Sequence, residues 1–123
     1  MIKDYNHPSI FVYCSLGINE VDIEEILWGI EEEGIPFILK NKDLNDAKEL
    51  ANLVANDSKL SVGIGVNSKG DVSLTINKLK EEEPLFFINL EKGNTCLRSL
   101  GANGARLVKG MPLKIFKLKR CLT

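Results

Sequence analysis

The chain has 123 residues, a formal net charge of −1, 44% hydrophobic and 27% charged residues. That length suits one domain burying about two-thirds of the surface its unfolded form exposes, and the balanced charge gives no reason to expect nucleic acid as a partner. Cys14, Cys96 and Cys121 follow no CxxC or Cys/His spacing, which indicates neither a disulfide framework nor a zinc site and suits a reducing cytoplasm.

The N-terminus, Met1-Ile2-Lys3-Asp4-Tyr5, lacks the apolar core of a signal peptide, and no run approaches the roughly 18 apolar residues of a membrane span. Ser9 to Ser15 is a short run rich in β-branched and aromatic residues that reads as a buried strand. A helix follows from about Val21 to Glu33, with Asn19 as its cap and Ile23, Ile26, Leu27 and Ile30 as its buried stripe. Gly34 and Pro36 end it, and Pro36 to Leu39 begins a second strand. Strand, helix and strand make a βαβ unit with parallel strands and a right-handed crossover.

The end of that first helix breaks a local rule. It closes on Glu31, Glu32 and Glu33, and each carboxylate at the carbonyl end of an exposed helix is disfavoured by roughly 0.3–1 kcal/mol. Counted at about 100° per residue, Glu25, Trp28, Gly29 and Glu32 fall opposite the buried stripe. The only tryptophan of the chain beside a central carboxylate reads as a contact surface awaiting a cation, from a metal or from a basic side chain on another polypeptide. The alternative is a solvated acidic helix end with a half-covered tryptophan.

Asp43 or Asn45 caps a second helix carrying Ala47, Leu50, Ala51 and Val54, which ends near Asn56 to Ser58. Leu60 to Val66 is a third strand, 67–71 a turn, and Val72 to Ile76 a strand returning antiparallel. Leu79 to Glu83 is a loop or helical turn, and the apolar run Pro84 to Leu90 is expected deep in the sheet. A third helix, from Glu91 or Thr95 to Lys109, contains Gly101 and Gly104. Each costs about 1 kcal/mol relative to alanine, so the close approach of another backbone is expected there. Gly110 and Pro112 stop that helix, and a basic tail covers 113–123. The fold expected is a single-domain, three-layer α/β sandwich over 1–123, with a core of about 9–112 and a mostly parallel sheet carrying one added antiparallel strand.

Chemical motifs are sparse. Gly63-Ile64-Gly65 lacks the third glycine and the helix of a dinucleotide fingerprint, and glycine there suits close packing. His7 is the only histidine, so Cys14 has no base to activate it and reads as a buried, inert thiol. The runs 31–33 and 81–83 cannot enclose a cation alone, because adjacent helical residues diverge by about 100°.

The segments Gly-Ile-Glu-Glu-Glu-Gly-Ile-Pro-Phe at 29–37, Val-Gly-Ile-Gly at 62–65, Pro-Leu-Phe at 84–86 and Gly-Ala-Asn-Gly-Ala-Arg-Leu-Val-Lys-Gly-Met-Pro at 101–112 resemble, in order and spacing, the small subunit of diol and glycerol dehydratase reactivase. The resemblance spans roughly residues 9 to 112. It implies a fold like that of the dehydratase medium subunit, and a non-catalytic chain with no cofactor of its own. It implies pairing with a large, chaperone-like ATPase subunit that carries Mg²⁺ and ATP or ADP. The small subunit would exchange with the dehydratase medium subunit on the large, catalytic dehydratase chain, so that damaged cobalamin, the cargo of the client enzyme, is released.

On the same resemblance, Glu32 completes the large subunit's Mg²⁺ site in trans. Glu25, Trp28, Glu31, Glu32 and Glu33 would form the partner interface, while Gly101, Gly104, Arg106 and Lys109 are structural first. Gly104 departs from the alanine more common in relatives, and the basic tail is longer than expected. No nucleic acid or membrane is implied, and the setting is the cytoplasm, including a bacterial microcompartment. Two rivals stand beside this reading. One is the dehydratase medium subunit itself, typically longer at its N-terminus; the other is a stand-alone small-molecule or metal-binding α/β domain.

Overall fold

The structure is a computed structural model and describes residues 9–114; His7 and all but the first two residues of the basic tail lie outside that range. Strands β1 (Ile10–Ser15), β2 (Phe37–Lys42), β3 (Val62–Val66), β4 (Asp71–Ile76) and β5 (Phe86–Asn89) form one sheet in the order β2-β1-β3-β4-β5. β1 pairs parallel with both β2 and β3, and β4 runs antiparallel between β3 and β5. The mostly parallel sheet with one reversed strand is therefore present.

Helices α1 (Glu24–Glu32) and α3 (Asn94–Lys109) cover one face, and α2 (Ala47–Asp57) covers the other. Side-chain alternation along β1 divides the two layers. Ile10, Val12 and Cys14 join Ile64, Val66 and Leu74 under α1 and α3, while Tyr13 packs with Leu50 and Val54 beneath α2. A right-handed crossover leaving β1 in one direction and another leaving β2 in the opposite direction must put their helices on opposite faces.

Glycines decide how closely the layers meet. A Cβ on Gly63 or Gly65 would strike the α2 backbone at Ala51 and Ala55 or at Ala47 and Ala51, so the pair expected to serve packing does so. Gly101 lies against the carbonyl of Ile26, and Gly29 against the carbonyl of Arg98. The two helices therefore cross through reciprocal notches at backbone distance. Gly104 faces only the side-chain ends of Ile64, Leu74 and Ile10, at 3.4 to 3.9 Å from where its Cβ would be. The expectation of backbone approach holds at Gly101 and not at Gly104.

Local chemistry sets the ends. Asn19 forms a capping box with Asp22 over a 3-10 turn, Glu20–Ile23, that leads into α1. Asp46, rather than Asp43 or Asn45, caps α2 through Lys48 and Glu49. Gly110 closes α3 in the left-handed conformation at φ 69°.

Two further expectations fail. β5 is an edge strand, not a deep one: it pairs only with β4 among the described strands, and Phe87 stays exposed with the Lys48 ammonium 5.0 Å from its ring. The inner places belong to β1, β3 and the antiparallel return β4, and the strand that follows that return adds at the rim. Cys96, in α3, is disulfide-bonded, where the cysteine spacing indicated no disulfide framework.

Candidate functional site

The six glutamates of the segment 20–33 divide into two sets. Glu25, Glu32 and Glu33 point toward α3 and are already paired. The Arg98 guanidinium lies 2.8 Å from the Glu25 carboxylate and also bonds Glu32. Both carboxylates hold its proton, so Arg98 is pushed above its ordinary range. Glu33 meets Arg106 at 3.1 Å and Lys109 at 3.2 Å. Partial burial pushes the Glu33 carboxyl up, but the hydrogen bonds and charges of Lys109 and Arg106 outweigh it and hold the group below its usual value.

Lys109 Nζ also donates to the Glu33 carbonyl at 2.7 Å, placing a cation against the negative end of the α1 dipole. The discomfort of an acid-tipped helix is thus relieved by α3 of the same chain, which corrects the expectation that a second polypeptide must bring that charge. Placement of Gly29 and Glu25 on an outward face is corrected too: Gly29 is buried, and the Glu25 side chain is only 17% exposed. An amphipathic stripe reports the sheet-facing side of a helix, but α1 has a second neighbour, so its buried arc is wider than the stripe. Gly29 itself was the signal for that neighbour.

The second set is Glu20, Glu24 and Glu31. These acids line an open concavity of about 200 Å³ together with Val21, Leu27, Trp28 and Phe37. None of the three carboxylates has an ion-pair or hydrogen-bond partner among the described residues. Positions 20, 24 and 31 recur at four and seven, so they share one flank of the helical segment, spanning about three turns. Trp28 is 43% exposed and Val21 74% exposed. The Arg98 guanidinium lies 5.2 Å from the indole centroid, within cation–π range, so Trp28 is held between the paired acids and the unpaired ones.

Of the residues singled out from sequence, Trp28 and Glu31 lie in the concavity, Glu32 is exposed beside it with its carboxylate on Arg98, and Glu25 and Glu33 belong to the α1–α3 seam. Glu20, Val21, Glu24 and Phe37 were missed. The spacing of Glu20, Glu24 and Glu31 was their legible signal.

Elsewhere the molecule offers little chemistry. The carboxyl ends of β1 and β2, whose helices leave on opposite faces, are where open α/β sheets bind ligands. Here they are stitched together: Ser15 Oγ donates to the Leu44 carbonyl at 2.6 Å, and Asn41 Nδ2 donates to the Ser15 and Ile18 carbonyls at 3.1 and 2.7 Å. Asn45 Oδ1 lies 3.0 Å from Ser15 Oγ and accepts from the Ser68 amide at 2.8 Å. Burial, reinforced by the charge of Asp22, pushes the Cys14 thiol up to about 12. Among the described residues no group of three or more His, Cys, Asp or Glu could hold a metal ion, and no helix is long and apolar enough to cross a membrane.

A family profile described as "Dehydratase medium subunit" matches residues 7–114. The chain is 38% identical over 114 residues to the propanediol dehydratase-reactivating factor small subunit of Citrobacter freundii, covering 93% of this chain and 97% of that one. It is 38% identical over 90 residues to the protein of the same description from Salmonella typhimurium, covering 73% and 77%. Among solved structures, a glycerol dehydratase reactivase superposes with a TM-score of 0.82 at 35% identity, covering 87% of this chain and 96% of that one. A diol dehydratase-reactivating factor complexed with ADP and Mg²⁺ superposes at 0.81 and 34% identity, covering 87% and 97%. The chain belongs to the dehydratase medium subunit family.

Proposed function

We propose that this protein is the small subunit of the chaperone-like reactivating factor for a coenzyme-B12-dependent diol or glycerol dehydratase. It pairs with a large ATPase subunit and exchanges with the dehydratase medium subunit, which opens a route for damaged cobalamin to leave. The observation that carries this reading is similarity over nearly the whole chain to reactivating-factor small subunits, in sequence and in fold. The chain itself is non-catalytic, with Mg²⁺ and nucleotide on the large subunit. A buried thiol with a raised pKa and a stitched β1–β2 crevice fit a chain that presents a surface rather than a reaction centre.

Glu32 is the proposed in-trans ligand of the large subunit's Mg²⁺. One exposed carboxylate fits such a role only as a contributor, because hard divalent cations take about six oxygen ligands and this chain supplies no cluster of its own among the described residues. Arg98 holds Glu32 in the isolated chain and keeps Glu25 as a partner when Glu32 turns away. Trp28 and Glu31, both exposed, complete the proposed interface, while Glu25 and Glu33 stay in the α1–α3 seam. The cytoplasm is the proposed setting.

Co-expression with the large subunit tests the proposal. The two chains should co-purify and, with ATP and Mg²⁺, restore activity to dehydratase inactivated with bound, damaged cobalamin. Assembly instead with a catalytic dehydratase chain into an active B12 enzyme would establish the medium-subunit role and overturn this one. Glu32→Gln should weaken Mg²⁺-dependent assembly; unchanged assembly and nucleotide-dependent release would remove Glu32 from the metal site.

A further inference from the structure

We infer that the concavity on α1 receives a basic side chain, arginine or lysine, from an apolar segment of the large subunit; this rests on the pairing proposed above. Three observations converge on that occupant. The floor is apolar and open, with Val21 and Trp28 exposed, Phe37 half-buried and Leu27 buried beneath them. The rim carries three carboxylates without a partner among the described residues, although three other acids of the same segment each have a cation. The indole lies between the two sets with one guanidinium already against its ring, and tryptophan is the strongest aromatic receptor for a second.

Charge complementarity selects the partner's sign. Glu24 and Glu31 are two turns apart, about 10 Å along the axis, so a cation entering between them beside Trp28 is flanked by carboxylates and by an apolar wall. An acidic or purely apolar partner would leave these carboxylates desolvated and unpaired, at a cost that opposes docking. A free divalent ion is poorly served, because the carboxylates are spaced along the helix rather than gathered within one coordination sphere. The site is separate from the role proposed for Glu32, since its carboxylates lie on the β2 side of α1 and the Glu25–Arg98–Glu32 bridge lies on the α3 side.

Binding of the purified large subunit to this chain and its variants, followed by calorimetry across a range of salt concentrations, tests the inference. Glu24→Gln combined with Glu31→Gln should weaken binding about tenfold and flatten its salt dependence. Trp28→Ala should weaken it by at least about tenfold, while Glu49→Gln on α2 changes nothing. The carboxylates are unpaired, so the unfolding midpoint of the double variant should match the parent chain. The loss, read as the ratio of variant to parent affinity in the Glu32→Gln background, should be the same with and without Mg²⁺; if it appears only with Mg²⁺, the stripe serves a metal ion and the inference is overturned. Parent-like binding and salt dependence in the variants would also overturn it while leaving the pairing intact. No binding by the parent chain would remove both.

Discussion

Gly101 of α3 sits directly on the carbonyl of Ile26 in α1. Helix positions normally occupied by alanine or larger residues hold the layers about 8–10 Å apart, and here glycine on both sides removes the spacer. Substitution at the two α3 glycines should therefore diverge. Gly101→Ala has only backbone to displace and should destabilise the chain by about 1–3 kcal/mol. Gly104→Ala meets flexible side-chain ends and gains helix propensity, so it should be neutral or stabilising by up to about 1 kcal/mol. Urea denaturation of the two variants decides it, and equal losses would sink the notch argument.

Glu33 carries a pH signature. Its carboxyl is held below the ordinary value in the folded chain, so its contribution is present above the unfolded carboxylate value of about 4.3 and disappears as pH falls through the lower folded value. Glu33→Gln should thus be less stable than the parent at pH 6, and the gap should close in the acid range below about pH 4. Thermal unfolding from pH 6 to pH 2.5 checks this, and a gap independent of pH would show that the carboxylate's charge is not the cause.

Arg98 touches two carboxylates and the indole. Arg98→Met should lower the unfolding midpoint and reduce its sensitivity to added salt. It should also alter the emission of Trp28, the only tryptophan. Fluorescence identical to the parent would mean that the guanidinium does not sit on the ring in solution.

Cys14 is buried and free, with its thiol pushed up to about 12. Alkylation at this residue, read by peptide mapping, should be negligible in the native chain at pH 8 and rise in parallel with denaturant unfolding. Rapid labelling under native conditions would contradict the packing of β1.

Much of the architecture was readable from residue pattern. The apolar run in β1, the i, i+4 stripes of α1 and α2, and the glycine stops at Gly34 and Gly110 each follow from local physics, and each stands within a few residues of its expected place. What local pattern could not supply was the third dimension around α1. Glu25 and Glu32 are opposite the apolar stripe on a helical wheel, yet a wheel cannot say that Arg98, about seventy positions later, will meet both. The failure at β5 has the same origin, since Phe86 and Ile88 look central in sequence while strand order puts them at the rim. Glu20 and Glu24 stand apart from the run 31–33 in sequence, yet they share a flank with Glu31 alone, because contiguity in sequence is not adjacency on a helix surface.

Because the α1–α3 crossing is closed by main chain against main chain, there is no side-chain cushion through which either rod could slip or roll. A visitor landing on the free flank of α1 accordingly encounters a ruler with fixed graduations, and almost none of its landing energy is dissipated in straightening the ruler first.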